Sequence, residues 1–303
     1  MTGAQIAARA AAQRTVIPRR ATGERVREGA FRGLMYGALA LALLGLAAIL
    51  GDALADGSAV LSWDFVTSFP SRVFPDRAGI LSAVVGTLWL MAICAVLVVP
   101  LGVATAVYLE EYADKDRWWN RLIEINIQNL AAVPSVVYGI LGLAFIVRGP
   151  LSVGNVLLAG GITLALLVLP VVIIVAREAI RAVPPSIREG ALALGATQWQ
   201  TIYKQVLPGS IGGIATGAIL ALSRAIGETA PLLVIGAAAS PRFNPTGLDS
   251  QFTALPIQIF VWTQDPNRAF VERAAGAIIV LMVILLLMNS IAIWLRNRYE
   301  QKW

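Results

Sequence analysis

Two opposite charges four residues apart stand out in an otherwise uncharged stretch of the sequence. Arg224 and Glu228 are the charged residues between 205 and 241. On an α-helix, residues four apart lie on one face, so these two are expected to form an ion pair. A guanidinium presents a planar fork of N–H donors that matches the oxygens of a tetrahedral anion. The pair therefore indicates either an anion site on a polar path or a neutralised pair that closes a helix bundle.

The sequence lacks the residues that most enzymes use near neutral pH. It contains no His and one Cys, Cys94, in the middle of an apolar run. Sites built on Ser–His, Cys–His or His–metal chemistry are therefore excluded. The phosphate-loop pattern G-x-x-x-x-G-K-[ST] is also absent from the sequence. We predict that the chain is not an enzyme and that it binds no cofactor or metal itself.

The composition is typical of an integral membrane protein. Hydrophobic residues make up 57% of the 303 residues and charged residues 14%, against about 25% charged in a soluble domain. A helix that crosses a bilayer needs about 20 apolar residues, and the long uncharged runs approach that length. We predict an all-α fold with about six spans, near 31–51, 79–109, 125–147, 154–177, 208–236 and 273–296.

The distribution of basic residues predicts the orientation in the membrane. Of the 24 Lys and Arg residues, 17 fall in the segments 1–32, 110–124, 177–204 and 296–303. Six fall in the segments 52–77, 148 and 236–273. Because basic residues concentrate on the cytoplasmic side, both termini are predicted to be cytoplasmic. The positive charge is thus a topology signal and predicts no nucleic-acid partner.

This orientation predicts three parts of the chain. Residues 1–30 form a basic cytoplasmic tail, 31–296 a transmembrane domain, and 297–303 a cytoplasmic C-terminus. The segment 177–208 is then a long cytoplasmic loop inside the domain.

The loop 177–208 has the signals of two short helices. Ser186 and Glu189 form the capping-box pattern S-x-x-E after a pair of prolines. Gly195 stands where a glycine ends a helix, and Thr197 with Gln200 starts a second one. We predict a helix–glycine–helix elbow on the cytoplasmic face.

One face of the first predicted elbow helix is apolar. Ile187, Ala191 and Leu194 follow one another at helical spacing. Such a face needs a partner, which is either the membrane surface, the spans of the same chain or another protein. The few charges nearby argue against a helix-turn-helix that reads DNA.

The elbow resembles the EAA loop of ABC-importer permeases, E-A-A-x3-G-x9-I-x-L-P. The matching positions are Glu189, Gly190, Ala191, Gly195, Leu207 and Pro208. Gly190 replaces an alanine, and Gln205 replaces the isoleucine. In that family the loop is a coupling helix that seats on a separate ATP-hydrolysing subunit. The resemblance implies that these six positions dock an ATPase.

Three other stretches resemble the permeases of phosphate importers: 223–232 and 252–260 resemble the PstA type, and 132–139 resembles an element that the PstA and PstC types share. They are Ser-Arg-Ala-Ile-Gly-Glu-Thr-Ala-Pro-Leu at 223–232, Ala-Val-Pro-Ser-Val-Val-Tyr-Gly at 132–139, and Phe-Thr-Ala-Leu-Pro-Ile-Gln-Ile-Phe at 252–260. We assign to the translocation path the polar residues of the first two stretches, which are Arg224, Glu228, Ser223, Thr229, Ser135 and Tyr138.

The resemblance implies a type I ABC importer permease in the inner membrane of a bacterium. Its expected partners are a PstC-like second permease, two ATPase subunits that bind ATP and Mg²⁺, an external phosphate-binding protein and the lipid bilayer. Sulfate, molybdate or phosphonate remain open as cargo. An ATP-independent channel or carrier and a membrane scaffold or receptor subunit are the alternatives from other classes.

Overall fold

The computed structural model describes residues 22–114, 116–238 and 241–299. Within these ranges the chain forms helices and no strands, as predicted. The helices are α1 (Thr22–Gly57), α2 (Trp63–Thr67), α3 (Leu81–Val107), α4 (Trp118–Ala131), α5 (Ser135–Leu141), α6 (Leu157–Arg181), α7 (Pro185–Ala193), α8 (Gln198–Thr201), α9 (Leu207–Ile226), α10 (Ala230–Val234), α11 (Leu255–Thr263) and α12 (Arg268–Tyr299). Residues 1–21 of the predicted tail and 300–303 of the predicted C-terminus lie outside the described ranges.

The chain divides into two compact units, which are Met1–Asp52 and Ala53–Trp303. In the described part of the first unit, α1 begins at Thr22, upstream of the predicted span start at 31. Its large apolar side chains, from Phe31 to Ile49, are exposed. A helix that is apolar all round is typical of a membrane span.

The number of spans agrees with the prediction. Five helices in the described ranges are long and apolar enough to cross a membrane. A sixth span results if the bent pair of α4 and α5 counts as one. The prediction of about six spans in an all-α protein is therefore confirmed.

The third predicted span is not the straight helix that the uncharged run 125–147 predicts. The segments Trp118–Ala131 and Ser135–Val147 meet at 108°. The bend falls at Pro134, because a proline lacks the backbone donor and disfavours the helical conformation of the residue before it. The second segment spans about 20 Å, less than the hydrocarbon thickness of about 30 Å. On its own, the second segment is therefore too short to cross a bilayer.

The fifth predicted span, 208–236, is also interrupted. α9 ends at Ile226, residues 227–229 leave the helix, and α10 begins at Ala230 with Pro231 in its first turn. Proline is tolerated in a first turn, where its missing donor has no partner to lose. Arg224 thus lies in the last turn of α9, and Glu228 lies beyond the helix, not on a continuous face with it.

Small residues let α6 lie close to α3 and α9. A Cβ built on Gly102 of α3 would lie 2.7 Å from Val172, and one on Gly217 of α9 would lie 2.1 Å from Val175. Lipid tails are as apolar as Leu, so helices associate in a bilayer through close packing, which small residues permit. The largest cluster of buried side chains accordingly runs along α6.

The segment between α10 and α12, which falls on the non-cytoplasmic side in the predicted orientation, is largely packed against the bundle. Phe252 is 1% exposed. Leu157 N, at the start of α6, donates to Ser250 O at 2.9 Å, and Leu255 N donates to Thr87 Oγ1 at 2.8 Å. We call this end of the bundle the loop side. The opposite end, where α7 follows the last residue of α6, is the elbow side.

Candidate translocation site and docking elbow

Arg224 and Glu228 form the predicted ion pair at the end of α9. Arg224 Nε lies 3.5 Å from Glu228 Oε1, and the arginine side chain is 55% exposed against 17% for the glutamate. Charge-assisted N–H···O bonds measure about 2.7–2.9 Å, so this pair is loose. A guanidinium has five N–H donors, and one long contact leaves it able to bind a further oxyanion.

Arg224 lies at the middle depth of the bundle. α9 runs antiparallel to α6, with Gly213 opposite Ala179 and Gly217 opposite Val175. Continuing this register along α9 places Arg224 about level with Val168, near the centre of α6. A charge at the bilayer centre costs about 3 kcal/mol or more. At this depth we therefore expect the exposed guanidinium to face protein or water rather than lipid.

The helix break beside Arg224 supports the same conclusion. Residues 227–229 lie outside both α9 and α10. At membrane depth, non-helical backbone is tolerated only where protein buries it or where it lines a water-filled cavity. Interrupted helices near the midplane are also where many transporters bind their cargo.

Ser223 lies in the last turn of α9, just before the break, and Thr229 is the last residue of the break. Ser223 Oγ donates to Ile219 O at 2.7 Å and lies 2.6 Å from Oδ1 of Asn289 on α12. Thr229 Oγ1 contacts Gly227 O at 3.4 Å. Asn289 was not predicted as a site residue, although an amide within the uncharged run 274–295 is a signal that could have identified it.

The structure brings two of the sequence motifs together. A Cβ built on Gly139 of α5 would lie 2.7 Å from Pro231 Cα and 3.0 Å from Val234 Cβ. The half-helix α5, which begins at Ser135, is therefore packed directly on α10. By contrast, a Cβ built on Gly227 would meet only Arg224 O, at the ordinary contact distance of 3.8 Å, so the close approach occurs at Gly139.

Tyr138 stabilises the bend between α4 and α5. Its side chain is buried, and its hydroxyl donates to Leu130 O, near the end of α4, at 2.8 Å. The structure thus gives Tyr138 a bracing contact, and its assignment to the translocation path stays a prediction.

Both helices of the predicted elbow are present, but only one of the two predicted capping boxes forms. Thr197 and Gln200 make the predicted capping box, with bonds of 2.9 and 3.2 Å. The predicted box of Ser186 and Glu189 is wrong: the N-cap of α7 is Pro184 and makes no side-chain cap bond. Pro185 takes the first helical position, as prolines often do, and this places Ser186 inside the helix.

The predicted apolar face of the elbow is divided between two environments. Ile187 packs against a buried cluster that includes Val183 and Ile202. Leu194 is 91% exposed, and the neighbouring Leu192 is also exposed. The elbow thus holds one end of α7 on the bundle and presents the other end outward.

Four of the predicted docking positions lie on the elbow. Glu189, Gly190 and Gly195 are exposed and Ala191 is half-buried. The other two, Leu207 and Pro208, begin α9 instead, and Leu207 packs against the same buried cluster as Ile187.

Residues 98–303 match a protein family described as "Binding-protein-dependent transport system inner membrane component". The chain belongs to this family. It is therefore a multi-pass membrane permease, a component of a transporter and not an enzyme.

Curated relatives of this permease cover most of its length. The "Probable ABC transporter permease protein YqgI" of Bacillus subtilis (strain 168) is 30% identical over 282 residues, or 89% of this chain and 94% of that protein. The "Phosphate transport system permease protein PstA 1" of Mycobacterium tuberculosis (strain ATCC 25618 / H37Rv) is 34% identical over 226 residues, or 74% and 72%.

A solved permease shares the fold. A chain of a bacterial ABC transporter involved in the import of the acidic polysaccharide alginate superposes with a TM-score of 0.62 at 18% identity. The match covers 90% of this chain and 99% of that one. The predicted type I ABC importer architecture is thereby confirmed.

We expect alanine at Gly195 to loosen the elbow of this permease without any steric clash. The residue has φ +83°, while a Cβ there would have nothing within 4 Å. Gly195 N donates to Leu192 O and Ala196 N to Ala191 O, the pattern of a helix ended by a left-handed residue. Gly195→Ala should cost about 1 kcal/mol, measured as faster amide hydrogen exchange in α7.

The matched control lies in the same helix. Gly190 also has open space around it but lies in the regular helical part of α7. Gly190→Ala should slow the exchange, because alanine stabilises a helix interior by about 0.5–1 kcal/mol relative to glycine. Equal exchange in the two variants would contradict the role of the left-handed turn.

A network of ion pairs on the elbow side was not predicted from the sequence. Arg177 is bound by Glu110 and Glu124, each at 2.8 Å, and its side chain is 9% exposed. Arg181 also binds Glu110, and Arg188 of α7 binds Glu111, both at 2.8 Å. These pairs are all shorter than Arg224–Glu228, and Arg177, Glu110 and Glu111 are more buried than either of its members. They connect α3, α4 and α6 with the elbow.

Proposed function

We propose that this permease is the PstA-like transmembrane subunit of an ATP-driven phosphate importer. It would form the translocation path with a PstC-like second permease, on two ATPase subunits that bind ATP and Mg²⁺. An external phosphate-binding protein would deliver the anion. The elbow side would face the cytoplasm of a bacterial cell, with both termini inside, in line with the excess of basic residues in the segments on that side.

One observation carries the proposal: an exposed arginine stands at the middle depth of the bundle beside a broken helix. Arg224 is paired loosely with Glu228, so a passing oxyanion can compete for the guanidinium. The glutamate keeps the site close to neutral, and an anion attracted there is not held too tightly to leave. Channels and carriers need this balance between entry and release.

The chemistry of the pair supports phosphate over sulfate. Inorganic phosphate keeps at least one proton near neutral pH, whereas sulfate is fully ionised. A carboxylate is an acceptor only, so Glu228 could receive a hydrogen bond from a protonated phosphate oxygen while Arg224 donates to the others. Sulfate has no proton to donate, so the same carboxylate would repel it. The PstA name of the mycobacterial relative supports the same cargo.

The exposed end of the elbow supports a partner on the cytoplasmic side. Leu192 and Leu194 present apolar surface there, and water would solvate it poorly. An ATPase groove that covers this surface would receive the elbow and pass its own closure on to the spans. Alternating access would follow from that movement.

The test is uptake of labelled phosphate at micromolar concentration by cells that lack only this chain. Excess unlabelled sulfate is present as a competitor. We expect the deletion to remove a sulfate-resistant uptake, and the wild-type chain to restore it. Depletion of cellular ATP should abolish the restored uptake.

Each other outcome favours a different candidate. If phosphate uptake is unchanged in a strain with no other high-affinity phosphate system, the cargo is not phosphate, and labelled sulfate or molybdate should then be tried. If uptake persists without ATP, the chain acts as a channel or carrier instead.

A further inference from the structure

The guanidinium of Arg188, in the elbow helix α7, bonds to two different spans. Its Nε and Nη2 donate to Glu111 Oε1, at 3.1 and 2.8 Å. Its Nη1 donates to Val183 O at 2.7 Å, and Nη2 also donates to Ile180 O at 2.8 Å. Glu111 belongs to the π-helical extension of α3, whereas Ile180 and Val183 lie at the end of α6. All three guanidinium nitrogens are thus engaged.

Arg188 binds one carbonyl in the last turn of α6, Ile180 O, which also accepts a bond of 3.3 Å from Val183 N, and one carbonyl just beyond the helix, Val183 O. The last C=O groups of any helix lack intrahelical donors, and a cation near them is favoured by the helix dipole. Arg188 supplies that cation at the end of α6. Its place in the first half of α7 thereby sets where the elbow begins relative to α6.

Glu111 receives both helices of the elbow. Its carboxylate binds Arg188 of α7, and its main-chain O accepts a bond of 2.5 Å from Gln198 Nε2 of α8. The carboxylate side chain is 9% exposed. Two helices of the elbow therefore contact this one residue at the end of α3. Their contacting residues, Arg188 and Gln198, come 77 and 87 residues after Glu111 in the chain.

Glu110, the residue before Glu111, links further spans on the elbow side by ion pairs. Glu110 binds Arg177 and Arg181 of α6, and Arg177 in turn binds Glu124 of α4. Since buried ion pairs with several hydrogen bonds have one well-defined geometry, α3, α4 and α6 are held as one body at this end. Arg188 is the elbow residue that forms an ion pair with these spans.

We propose that Arg188 is a positioning residue that, with Glu111, fixes the docking elbow to the ends of α3 and α6, so that a force on the elbow moves these spans together. The proposal rests on the function proposed above. Without this connection, the elbow would still dock on an ATPase through its exposed end. Its movement would then reach the spans only through the contacts that remain, which are the packing of Ile187 and the bond from Gln198 to Glu111 O.

A double-mutant cycle in the complete reconstituted transporter tests this connection. The variants are Arg188→Met, Glu111→Gln and the two together, and the readout is phosphate transported per ATP hydrolysed in proteoliposomes. We expect each single variant to lower this ratio about tenfold, with ATP hydrolysis continuing. The double variant should be no worse than the more severe single one, because the two residues act through one contact.

A matched pair on the loop side provides the control. Arg268 and Glu272 also form an ion pair, at 3.4 Å, but with side chains that are 84% and 42% exposed. Arg268→Met with Glu272→Gln should leave the ratio unchanged, since exposed pairs contribute little.

The outcomes separate the connection from simple folding. If Arg188→Met lowers the amount of assembled complex while the remaining complex keeps the wild-type ratio, the residue is structural and the proposal is overturned. The proposal is also overturned if both single variants transport the wild-type amount of phosphate per ATP hydrolysed. If the wild-type complex shows no ATP-dependent phosphate transport, the proposed function fails, whatever the variants do.

Discussion

Replacing Arg224 by glutamine is expected to abolish phosphate uptake while the transporter still assembles. The change removes the cation at the middle depth of the bundle and leaves Glu228 as the charge of the site. An incoming anion then meets a carboxylate without the fork of donors that would bind it. Losing the charge-assisted hydrogen bonds to the anion costs about 1.5–3 kcal/mol, which is about ten- to a hundredfold in rate. Uptake of labelled phosphate per assembled complex measures the effect.

A second variant separates the two reasons for that loss. In Arg224→Gln with Glu228→Gln, the unpaired carboxylate is absent but the donor fork is still missing. If Arg224 binds the anion, the double variant stays inactive. If Arg224 serves only to neutralise Glu228, the double variant regains uptake, and the assignment of Arg224 to the path is wrong.

Two further arginine variants provide an intermediate and a control for the uptake measurement. Arg224→Lys keeps the charge and loses the planar fork, so we expect partial uptake. Arg148, an exposed residue after the extension of α5, is the control, and Arg148→Gln should transport as the wild type does.

The second large effect is expected where α5 meets α10. Gly139→Ala puts a Cβ 2.7 Å from Pro231 Cα and 3.1 Å from Pro231 O. Both are backbone atoms, so neither side-chain rotation nor a small adjustment makes room for the methyl group. Overpacking of this kind costs about 1–3 kcal/mol. We expect a lower unfolding temperature of the purified permease, together with reduced uptake, because the shift reaches the break at 227–229.

A glycine in open space provides the comparison. Gly45 of α1 would have nothing within 4 Å of an added Cβ. Gly45→Ala should therefore unfold at or above the wild-type temperature, as alanine is the better helix former. An unfolding temperature for Gly139→Ala equal to that of the wild type would show that α5 and α10 are not in close contact.

The sequence was sufficient for features that depend on local chemistry. Long uncharged runs predicted the spans, since a bilayer demands that length whatever the fold. Gly195 was predicted to end the first elbow helix, and Thr197 with Gln200 to begin the second. These signals act within a few residues, so no knowledge of the tertiary structure was needed.

Prolines were the main source of error. Pro134 bends the third span, yet the uncharged run 125–147 continues through it and predicts one helix. Pro185 likewise shifts the start of α7 and removes the predicted role of Ser186. In both places the restriction that proline imposes on its neighbours outweighs the hydrophobic or capping pattern.

Contacts between distant residues could not be predicted from the sequence. Ser223 meets Asn289, 66 residues later, and Glu111 meets Arg188, 77 residues later. A charged residue in a loop is usually solvated, and nothing in the spacing of Glu110 and Glu111 indicates which arginines they bind. The packing of Gly139 on Pro231 depends in the same way on the final arrangement of the half-helices.

The long separation within the Glu111–Arg188 pair has a consequence for biogenesis. In the orientation proposed above, the carboxylates at the end of α3 are synthesised on the cytoplasmic side before their arginine partners, so they would first be solvated by water. At about 5–20 residues per second, Arg188 follows Glu111 after about 4–15 seconds. The pairs of Glu110 with Arg177 and Arg181 can therefore form before the elbow is made, whereas the pair of Glu111 with Arg188 can form only after it.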